Sequence, residues 1–182
     1  MVFASHALAH QPRLRESEDT IDVRLPEVSK AFYARLNGRP QHYRINSDRS
    51  FRLYVQVVVP YEESIDTDYE LLVTRGVDTV LTLAGSIADW TSYYEPFGGD
   101  VYLRGPEALQ VVPAGSYLVA ASSPDNRGRY ALVVGEGEAW PLPEIANAFR
   151  LMPAIKRRFF LKPGWRAFTD PITAPFRLAR AR

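Results

Sequence analysis

The fold is decided by the stretch Ala108 to Glu138, ALQVVPAGSYLVAASSPDNRGRYALVVGEGE. It reads as three strands joined by two turns. Leu109 and Val111 belong to the first strand, which Pro113-Ala114-Gly115 turns. Ser116 to Ser122 is the second. Ser123-Pro124-Asp125-Asn126-Arg127-Gly128 then turns the chain again: proline sets φ, Asp and Asn bond their own backbone, and glycine accepts positive φ. Arg129 to Val134 closes the unit, with Tyr130, Leu132 and Val134 on one face.

Upstream, Phe51 to Val59 (FRLYVQVVV) is the clearest strand. Phe51, Leu53, Val55, Val57 and Val59 share one face, and a period of two over this length does not fit a helix. Pro60 ends it, because proline lacks the ladder donor. Tyr69 to Thr74 and Thr79 to Leu83 are two short strands split by Arg75-Gly76-Val77-Asp78. Phe32 to Leu36 and Gln41 to Asn46 read as a hairpin about Asn37-Gly38. Residues 85–106 (GSIADWTSYYEPFGGDVYLRGP) lack a pattern and read as one long loop, a common home for function.

Downstream of Gly135 the period changes. Leu142-Pro143-Glu144 starts a helix, with proline near the first helical position. Ile145, Ala148, Phe149 and Met152 recur at helical spacing, and Pro153 is expected to break or kink it. Ala154 to Phe160 reads as a second basic turn or helix. Residues 163–182, with Pro163, Gly164, Pro171 and Pro175, are expected to hold little fixed structure. No apolar run of ~20 residues exists to span a membrane as a helix.

These signals add up to an all-β protein, an antiparallel β-sandwich (jelly roll) of about 7–9 strands with a short C-terminal helical segment. Residues 1–27 are expected as a flexible leader, 28–138 as the sandwich and 139–182 as a helical, basic tail. Ala7-Leu8-Ala9 fits the small-x-small pattern before a signal-peptidase cut, but no apolar run precedes it, so a signal peptide is expected to be incomplete or absent here, the alternative being a plain flexible leader.

Composition narrows the chemistry. Among 182 residues there is no cysteine, which removes disulfides, thiolate metal sites and thiol nucleophiles. His6, His10 and His42 are the only histidines, too few and too scattered for a metal cluster or a Ser-His-Asp triad. The net charge of +1 hides an asymmetry. From Arg150 to Arg182 nine Lys/Arg face one acid, Asp170, a formal +8, and the rest of the chain carries −7.

Val112-Pro113-Ala114-Gly115-Ser116-Tyr117 and Gly128-Arg129-Tyr130-Ala131-Leu132 resemble the P-A-G turn, tyrosine strand and G-x-Y-x-L strand of the bacterial pre-peptidase C-terminal domain. The segment HYRINSDRSFRLYVQVVV (42–59) is similar to that family's opening strands. The resemblance covers residues 28–138. It implies a jelly-roll sandwich in an extracytoplasmic protein (periplasm, envelope or secreted), serving as a non-catalytic accessory module.

Three sets of residues are candidate sites. Trp90, Tyr93, Tyr94 and Phe97 suit an aromatic platform for a sugar ring or peptide; the alternative is that they plug one end of the sandwich. Asp66, Asp68 and Asp100, with Glu95 and Glu107 nearby in sequence, offer hard oxygens for Ca²⁺, though without EF-hand spacing; the alternative is solvated loop acids. No other cofactor is expected. Lys156, Arg157, Arg158, Lys162, Trp165 and Arg166 mix cations with an aromatic, as a segment lying on an anionic membrane does. The alternative packs Phe149, Met152, Phe159 and Phe160 on the sandwich with all charges outward. Nucleic acid is not an expected partner. The expectation is therefore a non-enzymatic envelope module that binds a protein or glycan. A structural envelope component and a carboxylate-dependent hydrolase are the alternatives.

Overall fold

The computed structural model describes residues 10–17, 19–62 and 65–180, with backbone alone for 174–180. In chain order the strands are β1 (Gln11–Leu14), β2 (Ile21–Val23), β3 (Lys30–Asn37), β4 (Gln41–Ser47), β5 (Phe51–Pro60), β6 (Glu70–Arg75), β7 (Asp78–Ala84), β8 (Thr91–Glu95), β9 (Asp100–Val112), β10 (Gly115–Ser122) and β11 (Arg127–Val134). Two helices follow, α1 (Leu142–Arg158) and α2 (Arg166–Arg180). The strands form a sandwich of a six-stranded sheet, β1-β3-β11-β5-β9-β8, and a five-stranded sheet, β2-β4-β10-β6-β7. The expected all-β sandwich is what the chain adopts.

Consecutive strands of the deciding stretch alternate between the sheets. β9 and β11 lie in one and β10 in the other, and β10 and β11 are both interior strands. Each therefore anchors two neighbours, which is why this stretch organises the fold. Between the sheets lies the main core. Phe51, Leu53, Val55, Val57 and Val59 of β5 point into it with Tyr130, Leu132 and Val134 of β11, and all are buried. Inside that core Tyr130 donates to Gln41 Oε1 at 2.8 Å, and the Tyr43 and Tyr130 hydroxyls are 2.8 Å apart. Gln41 Nε2 donates in turn to the Arg35 carbonyl at 2.8 Å, so Tyr43, Tyr130 and Gln41 all have partners inside the core.

The other face of β5 and β11 is buried too. Tyr54, Val58, Ala131 and Val133 sit under α1, against Met152, Ile155, Phe159 and Phe160. The sequence signal of a half-exposed strand thus misses a second layer. Burial raises the phenol pKa of Tyr33, Tyr54, Tyr69, Tyr102 and Tyr130, and pushes Tyr43 up to about 12. A raised folded value means stability is present below the unfolded tyrosine pKa near ~10 and is lost as pH climbs toward the folded values. Alkaline titration should show these phenols ionising together with unfolding, above about pH 10. Their smooth ionisation in the folded chain near that value is the opposing result.

Four local expectations are corrected. β3 and β4 do not form a hairpin. They lie in opposite sheets, and Asn37-Gly38 carries the chain across the core, with Gly38 at φ 85°. Residues 85–106 are not one loop: they hold a 3₁₀ turn at Gly85–Ile87, β8 and the first half of β9. Within 1–27, β1 and β2 join the sheets by parallel pairing to β3 and β4. Finally, 166–180 is helical, and α1 runs through Pro153. That proline removes a helical hydrogen bond, but buried Ala148, Met152 and Ile155 hold the helix on the sheet.

Candidate functional site

The helical layer makes the site. α1 lies across the outer face of the six-stranded sheet and ends in a buried ion cluster. Lys156, fully buried, donates to Asp100 Oδ2 at 2.6 Å, Asp170 Oδ2 at 3.0 Å and the Gly98 carbonyl at 2.7 Å. Lys162 reaches Asp100 Oδ1 at 2.8 Å, and Arg166 reaches Asp170 Oδ1 at 3.2 Å. The cluster ties the start of β9 to both helices. At Gly99, with φ 69°, the chain passes so close to the Asp170 backbone that a Cβ would overlap it. Burial alone would raise the Asp170 pKa, but the Lys156 hydrogen bond and charge, with Arg166 and Lys162, outweigh it and hold the carboxyl low.

Beside α1 the same sheet face is hollowed into a cavity of about 40 Å³, bordered by His10, Tyr93, Glu95, Phe97, Arg104 and Trp140 among others. That is room for a few water molecules or a small polar group. Tyr93 and Glu95 reach it because alternate residues of β8 share a face. The Arg104 guanidinium stacks on the Tyr93 ring, 3.6 Å from its centroid. The Tyr93 hydroxyl is buried with no partner in hydrogen-bonding geometry. Burial pushes its pKa up, partly offset by Arg104. Burial, then Arg104, lowers the His10 pKa to about 4, so this imidazole is neutral at pH 7. Glu95 accepts from the Phe97 and Gly98 backbone at 2.7 and 2.6 Å; burial nevertheless raises its pKa.

The four expected aromatics are not one platform. Trp90 packs against the inter-sheet core, its indole N–H on the Gly85 carbonyl at 2.9 Å and its ring over the Gly105 backbone. Tyr94 follows Tyr93 on β8 and so takes the opposite face of the strand. Only Tyr93 and Phe97 border the cavity, where Phe97 meets Trp140 and Phe149 at ring separations of 6.2 and 5.6 Å.

The expected calcium acids do not assemble either. Asp66 Oδ1 caps the Asp68 N–H at 2.9 Å, while both oxygens of Asp100 face lysine ammonium groups. Glu107 holds Tyr54 and Gln56 at 2.6 and 2.9 Å. Among the described residues no group of three or more His, Cys, Asp or Glu is placed to hold a metal ion.

In the tail, Lys156 is corrected from an outward charge to a buried one, because α1 needs a cation between two aspartates. Arg158 pairs with Glu16 at 2.5 Å, and Lys162 and Arg166 join the cluster from its rim. Arg157 and Trp165 are exposed. Leu161, Trp165, Phe168 and Ile172 are each more than half exposed. His10, Arg104 and Trp140 had no sequence signal. They are isolated residues far apart in the chain, and only the sheet face brings them together.

No family model matches this chain, and no curated protein does. Among solved structures, the pre-peptidase C-terminal domain of collagenase from Bacillus anthracis is similar at 11% identity, over 66% of this chain and 97% of that chain, with a TM-score of 0.41. Among the described residues, no helix is long and apolar enough to cross a membrane.

Proposed function

We propose that this chain is a non-enzymatic, extracytoplasmic binding module that docks on an anionic lipid surface of the envelope through its C-terminal helices. The observation that carries the reading is the exposed apolar side of α2. Phe168 and Ile172 stand at helical spacing with Trp165 just before the helix, and all three are more than half exposed. The segment from Arg150 onward carries a formal +8, against −7 elsewhere; Lys156 is spent in the buried cluster, while Arg150 and Arg157 are exposed. An apolar face flanked by cations is the arrangement that inserts at a head-group boundary, with arginines at the phosphates. Export follows the family resemblance of Val112–Tyr117 and Gly128–Leu132.

Vesicle co-sedimentation tests this. The parent chain should sediment with phosphatidylserine-containing vesicles at low salt, far less with pure phosphatidylcholine, and less as salt screens the charges. A W165S/F168S variant should bind at least about tenfold more weakly, since two rings no longer leave water. Equal sedimentation of parent and variant, or none by the parent, overturns the reading.

A further inference from the structure

We infer that the cavity beside Trp140 is a binding site for a small monocarboxylate, seated with its carboxylate on Arg104 and its apolar end against Val58, Met152 and Trp140. The inference is independent of membrane docking, because the cavity lies on the sheet face and not on α2.

Arg104 is the decisive residue. Other arginines of this molecule reach an acid: Arg13 meets Glu144 at 2.8 Å, Arg52 meets Glu136 at 2.6 Å, and Arg129 pairs with Glu62. Arg104 is half-buried and makes no ion pair among the described residues; its guanidinium lies over the Tyr93 ring and also acts on the Tyr93 hydroxyl. Stacking uses the face of a guanidinium. It leaves the in-plane N–H groups, whose fork matches the two oxygens of a carboxylate. The Tyr93 hydroxyl, buried on the same wall beside Arg104 and without an acceptor in hydrogen-bonding geometry, can donate to the ligand as well.

The charges around the cavity favour this orientation. His10 is neutral, with Nδ1 2.5 Å from the Ser29 hydroxyl, so it adds no competing cation. Glu95, the acid on the wall, is turned to the backbone N–H groups of Phe97 and Gly98. In the sheet register Glu95 pairs with Asp100 whereas Arg104 pairs with Thr91. The Tyr93–Tyr102 rung lies between them, and four residues of strand separate the acidic end from Arg104 by roughly 13 Å of backbone. The Arg104 guanidinium reaches back over the Tyr93 ring, while the Glu95 carboxylate stays turned to the Phe97 and Gly98 N–H groups. Ala31, Val58 and Met152 complete apolar walls, where a charge-assisted pair gains strength because water is thinned out. The volume of about 40 Å³ seats the carboxylate end of a small ligand, whose tail follows the apolar wall toward the opening.

An NMR titration of the whole chain at pH 7 tests the proposal, with butyrate, butanol and butylamine as probes and the Trp140 indole N–H and Arg104 Nε signals as readouts. Butyrate should shift both saturably in the millimolar range, with no saturable response to butanol. R104Q should weaken butyrate binding about tenfold or more, the loss of a charged hydrogen-bonding partner. Y93F should weaken it by several-fold. Tighter binding of butylamine would place the site on Glu95 and overturn the inference. So would a similar response to all three probes, no saturation with butyrate, or full retention by R104Q. Should R104Q fail to fold, the contrast between butyrate and butanol on the parent chain decides.

Discussion

Replacing Lys156 with alanine is expected to destabilise the protein by about 3–5 kcal/mol and to release α2 from the sheet. The ammonium is fully buried between Asp100 and Asp170, themselves nearly inaccessible. Removing it leaves two carboxylates facing each other out of water, with Lys162 and Arg166 only at the rim. Urea unfolding measures the loss, and amide exchange locates it: α2 amides should lose protection first, because few other contacts hold that helix. K156M should fare no better than K156A, since the missing charge is the cause. A triple variant, K156M/D100N/D170N, should recover much of the loss, because neutral groups need no buried counter-ion. A K156A chain within about 1 kcal/mol of the parent would show that the cluster is not structural.

The same cluster sets acid behaviour. The folded pKa of Asp170 is depressed, so its pairing stabilises above the unfolded aspartate value and is lost as pH falls through the folded one. Stability of the parent should therefore drop below about pH 4, and D170N should flatten that limb while being less stable at neutral pH.

Leu132→Ala is expected to cost about 2–5 kcal/mol, as for other buried leucines that cannot collapse onto the space they leave. Leu132 is fully buried on an interior strand, in register with Phe32 on one side and Val57 on the other. Neither neighbour can move without disturbing its own sheet. For a chain of this size each kcal/mol shifts Tm by about 2–4 °C, so a drop of roughly 10 °C is the expected calorimetric result. Leu132→Met keeps the volume and should stay within about 1.5 kcal/mol. Leu109→Ala, at an exposed site on β9, should stay near about 0.5 kcal/mol. A Leu132→Ala loss no larger than that of Leu109→Ala would mean the inter-sheet core does not carry the fold.

Some elements were legible because their pattern is local. β5 alternates cleanly, and the turns around Gly115 and Gly128 carry their own chemistry. β8 and the start of β9 were hidden by Glu95-Pro96-Phe97-Gly98-Gly99, a run of breakers that the structure uses as a tight connection between two strands. β1 was hidden because Gln11 and Arg13 are polar, yet their side chains are spent on the Ala139 carbonyl and Glu144. The Asn37-Gly38 signal suggests a hairpin that the fold does not make, because a turn signal says where the chain reverses and not whether it stays in one sheet.

The β-sandwich, with its organising strands between Ala108 and Glu138, is legible in the amino-acid sequence. Apolar alternation and turn residues act over a few bonds, and burial of the resulting faces admits few other solutions. Which charges are buried, and where a cavity forms, is set by long-range packing. Lys156 looks like any solvated lysine until Asp100 and Asp170, far from each other in the chain, close around it. Arg104 looks like an ordinary strand arginine until Tyr93, His10 and Trp140 close around it and it makes no ion pair among the described residues. Desolvation depends on what covers a group, and what covers these groups comes from distant parts of the chain.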